Sequence, residues 1–329
     1  MSGKNMNEME RRLLYADKPE PVKKTEEQNK YVKKFKEERE FDNIKKTTIL
    51  NDIVRLRVFL AFCEELEMEP FELSTHDFVK FFNYLNNRRN CSITTQNKYF
   101  NLLKVFYRLL RYENFREFEI ESNNRKRFTK YEKKHYDTID FETYTKILKE
   151  VVLSNSRTKV RDALLIRVLW ETGCRRSEAL NIRYKDCDLE KGRFRIRDTK
   201  TYEERTVVVS EDTTKIVIDY IKQNLRRDAD DFIFQNEVTF NGKRVKPDWV
   251  TAVFKKAVNK LKEDGAIPKG RRVVVHSLRH GRATDLLDKG VPIDIVKEIL
   301  GHKSLETTLY YSHSKERKEK LLDEIQKLL

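Results

Sequence analysis

The sequence predicts a mainly α-helical protein of two domains, with a small antiparallel β-sheet in the second. Three observations carry this prediction. Apolar residues recur at three- and four-residue steps through most of the chain, often behind a Ser or Thr able to cap a helix start. Short β-type runs gather in one region only, between Ile182 and Val209. A basic stretch without apolar periodicity divides the chain, whose 329 residues are long for one core, since domains usually run ~100 to 200 residues.

Residues 1–24 are polar, carry Pro19 and Pro21, and read as a flexible arm. Residues 25–115 read as a bundle of four amphipathic helices. Tyr31 and Phe35 mark the first. Ile49, Ile53, Leu56, Leu60 and Cys63 mark the second, with Thr47 or Thr48 as its cap and Pro70 as its stop. Ser74 precedes Phe78, Phe81, Phe82 and Leu85, and Ser92 precedes Tyr99, Leu102, Leu103, Phe106 and Leu110. Residues 116–137 read as a linker. Arg125, Lys126, Arg127, Lys130, Lys133 and Lys134 crowd into the ten positions 125–134 against the single acid Glu132, which suits either a strap along a phosphate backbone or a plain solvated connection.

The second domain, 138–329, opens with a helix bearing Phe141, Tyr144, Ile147 and Leu148, for which Thr138 is the expected cap. A helix apolar around most of its circumference follows, with Val160, Leu164, Ile166, Val168 and Leu169, and Gly173 is placed to end it. Strands are expected at 182–184, 193–198 and 206–209, with turns at Lys191-Gly192 and at 201–204. Lys200 falls at the mouth of the second hairpin. Helices are expected at 216–225, at 250–261, from a cap at Ser277 to a stop at Gly290, and from Pro292 to Gly301. Leu321, Leu322, Ile325, Leu328 and Leu329 make 315–329 an amphipathic C-terminal helix.

The formal net charge of +15 points to a polyanionic partner, nucleic acid before an anionic membrane. A charged fraction of 37% is also what the solvated surface of a thermophile shows, so the positive excess carries the inference. Cys63, Cys91, Cys174 and Cys187 lack C-x-x-C spacing, which argues against a zinc ribbon or a disulfide framework and fits a reducing cytoplasm. The best apolar run, 163–170, is short and broken by Arg167, so neither a membrane span nor a leader peptide is expected.

Four of the six histidines (His276, His280, His302 and His313) lie near the C-terminus beside Arg279, Arg282, Tyr310 and Tyr311. Imidazole exchanges protons near neutrality, guanidinium offers a planar fork to phosphate oxygens, and a phenol can be a nucleophile. Singly, each reads as readily as a surface histidine or a core tyrosine. His276 and Arg279, three apart, share one side of a helix.

The runs T-G-C-R-R-S-E (172–178), T-K-T (199–201), H-S-L-R-H (276–280), L-G-H (300–302) and T-T-L-Y-Y-S-H (307–313) together resemble the tyrosine recombinases, the family of phage-type integrases and Xer recombinases. The resemblance covers the second domain by motif and the first by helical character only. It implies a SAM-like core-binding bundle and a catalytic domain that form a C-shaped clamp on double-stranded DNA. It also implies strand exchange through a covalent 3′-phosphotyrosyl bond and a four-way junction, with no metal, ATP or other cofactor. By the same resemblance Arg175 and Arg279 grip the scissile phosphate, Lys200 is the general acid, and His276 moves the proton of the nucleophile. His302 donates to the phosphate and Glu178 holds Arg175. Of the two adjacent tyrosines the family pattern selects Tyr311, nine positions beyond His302, leaving Tyr310 to packing. Arg176 and Arg282 read as DNA-backbone contacts or surface charges, and His280 and His313 as structural. The family also implies a homotetramer in which 315–329 docks on the neighbouring protomer. Rival readings are a type IB topoisomerase, a metal-dependent hydrolase built on His276, His280 and His302, and a catalytically silent DNA-binding protein. The first lacks its capping region here, the second lacks carboxylate or Cys ligands at metal spacing, and the third would not need the full motif set.

Overall fold

The computed structural model describes residues 25–128, 136–197, 204–224, 228–236 and 242–301, together with Gln326. The arm expected at 1–24, residues 201–203 of the turn expected at 201–204 and all of the C-terminal helix but Gln326 lie outside the described residues. The chain divides into two compact units, 1–134 and 135–329.

The first unit holds helices α1 (Glu26–Phe41), α2 (Lys46–Glu65), α3 (Thr75–Asn87), α4 (Ile93–Leu110) and α5 (Arg116–Asn124). Their starts follow local chemistry. The Ser74 hydroxyl accepts from the Asp77 N–H while Asp77 answers the Ser74 N–H, and the Ser92 hydroxyl accepts from the Thr95 N–H. α2 differs from the expectation. It begins at Lys46 with no side-chain cap, so neither Thr47 nor Thr48 caps it, and it ends at Glu65, before Pro70 opens a short 3-10 turn at Pro70–Glu72.

The core of this unit is aromatic. Phe59 meets Phe81 edge to face at 5.1 Å, Phe78 meets Phe115 at 4.9 Å, and Phe100 stacks on Phe128 at 4.4 Å. Such pairs each add about 0.5 to 1.5 kcal/mol beyond their buried area. The bundle therefore does not end at 115. α5 continues it, and Phe118 and Phe128, 5% and 6% exposed, close over Phe82 and Phe100. Arg127, expected on a linker, donates to Gln96 Oε1 at 2.9 Å. Periodicity missed α5 because Phe118 is its only buried apolar residue, while Ile120 is exposed.

The second unit is built around α7 (Lys159–Thr172), flanked by α6 (Phe141–Val152), α9 (Glu211–Asn224) and α11 (Val275–Asp288). Leu164, Leu165, Ile166, Val168, Leu169 and Trp170 are all buried, as the apolar circumference predicts, and Trp170 stacks on Tyr144 at 4.5 Å. Val160 is exposed instead, and the buried first turn holds an ion pair, Arg161 to Asp162 at 2.7 Å. That pair is satisfied by the Thr158 hydroxyl, the Trp249 indole N–H and the Gln235 carbonyl, as burying charge demands. Asp140, not Thr138, caps α6.

The sheet has three antiparallel strands in the order β1 (Cys187–Asp188), β2 (Arg193–Ile196), β3 (Arg205–Val208), with Ile196 opposite Arg205. Gly192, at φ +59°, makes the first turn. The strand expected at 182–184 is reduced to an isolated antiparallel bridge between Arg183 and Phe232, outside the sheet. The Asp186 carboxylate accepts from the Arg183 N–H and closes a 3-10 turn at Tyr184–Asp186, so the three-stranded sheet begins at Cys187. Helices α8 (Arg176–Leu180), α10 (Pro247–Glu263) and α12 (Ile293–Leu300) complete the unit. Ser277 is not the cap of α11 but its third residue, and its hydroxyl accepts from the Val274 N–H. No helix among the described residues is long and apolar enough to cross a membrane.

Candidate active site

Four of the seven predicted site residues, Arg175, Glu178, His276 and Arg279, are described, and all four lie where α7 ends. Lys200, His302 and Tyr311, with Tyr310 and His313, lie outside the described residues.

α7 stops at Gly173 in the left-handed region, φ +61°. A side chain there would also strike Leu300 on α12, its Cβ 2.4 Å from the Leu300 Cδ2. The turn so made frees the Gly173 carbonyl, which accepts from Arg279 Nη1 at 2.8 Å. Arg175 follows as the cap residue of α8. Its backbone N–H donates to Glu178 Oε2 at 2.9 Å and its Nη1 to Glu178 Oε1 at 2.7 Å. Its Nη2 reaches the Gly301 carbonyl at 3.4 Å. Burial alone would raise the Glu178 carboxyl, but the guanidiniums of Arg205 and Arg175 outweigh it and hold the group below its ordinary value.

Arg279 is 2% exposed, and its Nη2 has no hydrogen-bond partner among the described residues. A buried charged donor left so costs more than an ordinary unmade hydrogen bond, and it marks a place built for an anion's oxygen. Burial and the nearby Arg175 bring this guanidinium down to about 10, still a cation at neutral pH. One helical turn earlier, burial together with Arg279 and Arg175 lowers the His276 imidazole to about 4. It is therefore neutral at pH 7 and able to accept a proton. The His280 ring meets it edge to face at 4.4 Å.

One residue of the cluster was not singled out from sequence. Arg205, at the start of β3, donates to Glu178 Oε2 at 2.7 Å and to the Ile299 carbonyl at 3.0 Å. The signal was its strand phase, since it shares a face with buried Val207. Arg282 is not a surface charge. It donates to the Glu171 carbonyl near the end of α7 and pairs with Asp285. Arg176 is half-buried and bonds the Thr251 hydroxyl. Three guanidiniums (Arg175, Arg205, Arg279) thus face one carboxylate, and the surplus suits a phosphodiester. Among the described residues no group of three His, Cys, Asp or Glu could hold a metal ion.

The description "Phage integrase family" matches residues 137–318, and "Phage integrase, N-terminal SAM-like domain" matches residues 31–117. The chain belongs to the phage integrase family. It is 56% identical, over 100% of this chain and 99% of the other, to a probable integrase/recombinase protein of Methanocaldococcus jannaschii. It is 29% identical to the tyrosine recombinase XerA of Pyrococcus furiosus, over 78% of this chain and 82% of that one. Two solved structures share the fold. XerH site-specific recombinase bound to palindromic difH substrate gives a TM-score of 0.61 at 21% identity, covering 90% of this chain and 84% of that one. The Tn1549 transposon integrase in complex with transposon right end DNA gives 0.63 at 17%, covering 90% and 99%. As a phage integrase family member the chain is a tyrosine recombinase, an enzyme of site-specific DNA strand cleavage and rejoining.

Proposed function

We propose that this recombinase cuts one strand of its site with Tyr311, becoming esterified to the 3′ phosphate, and passes that phosphate to a second strand through a four-way junction. In the cutting step the Tyr311 oxygen bonds to phosphorus as the bond to the 5′ oxygen breaks. His276 receives the phenol proton and Lys200 protonates the leaving oxygen. Arg175, Arg279 and His302 bear the charge that gathers on the phosphoryl oxygens. The observation that carries the reading is the buried Arg279 guanidinium, tied by one arm to Gly173 and with Nη2 open to an acceptor. A preorganised donor of this kind is worth about 3 kcal/mol of transition-state stabilisation. A phenol of ordinary pKa ~10 needs such cations, or a neutral base like His276, before it attacks at pH 7. Exchange of one phosphate ester for another conserves the bond energy, so no nucleotide cofactor enters. Assembly is proposed to be a homotetramer on paired sites, with 315–329 docking on the neighbouring protomer.

The test is covalent capture. A pool of nicked duplexes with randomised sequence is incubated with the protein in EDTA, and DNA that stays attached under denaturing conditions is recovered and sequenced. Wild type should yield an adduct on Tyr311 and a selected site, and Tyr311→Phe should give none while still binding that duplex. An adduct abolished by Tyr310→Phe instead, or attached to any other side chain, overturns the assignment.

A further inference from the structure

Glu178 orients Arg175, and on its own element Glu178 is held in turn by Arg175, the cap residue. Helix α8 has only five residues, and a carboxylate inside it is 2% exposed with both oxygens engaged. Its second anchor comes from the sheet. Arg205 Nη2 donates to Glu178 Oε2 at 2.7 Å, from a side chain 10% exposed. The same guanidinium turns its Nε to the Ile299 carbonyl at 3.0 Å, at the end of α12. Two residues on, the Gly301 carbonyl accepts from Arg175. One side chain therefore joins three stretches distant in sequence: the turn after α7, the strand that begins five positions beyond Lys200, and the turn that leads into His302.

The neighbours are shaped around it. A Cβ on Gly301 would lie 2.8 Å from Arg205 Nη1 and 3.0 Å from its Cζ, so the absence of a side chain at 301 makes the room that the guanidinium fills. A lysine cannot replace it. Carboxylate and carbonyl lie in different directions, and a single ammonium on a flexible stem lacks the planar fork that reaches both. Nor is Arg205 presented to DNA as a third phosphate ligand, because Nε and Nη2 are committed inside the protein.

We propose that Arg205 is the positioning residue of this site, setting Arg175 through Glu178 and locking the 299–301 turn in register with it. The proposal rests on the reading of the site as the strand-cleaving centre. It separates chemistry from binding. Loss of the guanidinium lets Arg175 drift from the phosphate, while the basic surfaces that hold the duplex are unchanged.

The experiment compares wild type, Arg205→Lys, Arg205→Met, Glu178→Gln and the Arg205→Met/Glu178→Gln double variant on the duplex selected by covalent capture. Adduct formation is followed in single turnover at saturating protein, duplex affinity by fluorescence anisotropy, and folding by thermal melts. Arg205→Met should slow adduct formation about 100-fold, the scale of an ångström of misplacement, and leave affinity within about threefold. Arg205→Lys should remain at least about tenfold slow at unchanged affinity, and it carries the test if the methionine variant melts too low, because it keeps the charge that buried Glu178 needs. The double variant should lose no more than the slower single one, since both changes break one link. Near-normal rates in folded Arg205→Met or Arg205→Lys overturn the proposal, as do equal losses of rate and affinity or additive losses in the double variant. Failure of wild type to form an adduct with any duplex overturns the reading of the site, and this proposal with it. A normal wild type beside an equally active Arg205→Met overturns the proposal alone.

Discussion

The His276 imidazole sits near 4 because burial and the cations Arg279 and Arg175 all oppose its protonation. The unfolded chain, with an ordinary imidazole near 6.5, binds that proton more readily. The contribution to stability is thus fully present above pH 6.5 and is lost as pH falls toward 4, amounting to roughly 3 kcal/mol. A base of this kind stays ready across the range in which exposed histidines are already charged. Single-turnover adduct formation should therefore change less than about twofold between pH 7.5 and 6, while His276→Gln is slower at every pH. A drop of tenfold over that interval would show an ordinary imidazole at work. The residues of this cluster were legible because each sits in a short motif. Arg205 was not, because its strand phase marks an inward face but no partner, and its partners lie 27 and 94 positions away.

Among the elements, α11 bears the strictest demand. A Cβ at Gly281 would lie 2.1 Å from the Ile139 carbonyl oxygen and 2.7 Å from the Trp170 ring. The backbone oxygen cannot step aside, so Gly281→Ala must lift α11 from its bed, and with it Arg279 two residues earlier. We expect a loss of about 1 to 3 kcal/mol in urea unfolding and a slower covalent step. Wild-type stability in that variant would mean the helix shifts freely. Capping chemistry made several helix bounds readable. Ser74, Ser92, Gly173 and Gly301 act where the sequence places them. The misreadings share a cause. α5 buries one apolar side chain, Phe118, which makes no period, and the turn at 184–186 is decided by the Asp186 side chain rather than by β propensity.

At the scale of the molecule, each unit closes its own core among the described residues, aromatic in the first and centred on α7 in the second. Of 315–329 only Gln326 is described, and it is exposed. On the proposed docking of 315–329 on the neighbouring protomer, truncation after Ser314 should abolish tetramers on the selected duplex in mass photometry. Tetramers that persist would assign assembly to another surface. The two-unit plan and the motif set were visible from pattern alone, whereas the boundary between units was not. The bundle runs on to Phe128, because its last ring stacks on Phe100 rather than following a helical stripe.

The grip of Arg205 on Ile299, and of Arg175 on Gly301, bears on how the polypeptide is born. A ribosome that has delivered the sheet has already made both arginines, but their carbonyl acceptors are still to be synthesised. A chain ending before Ile299 lacks both carbonyl anchors, leaving Glu178 as the shared partner of Arg175 and Arg205. The scaffold of the site can thus close only once the 299–301 turn has been made.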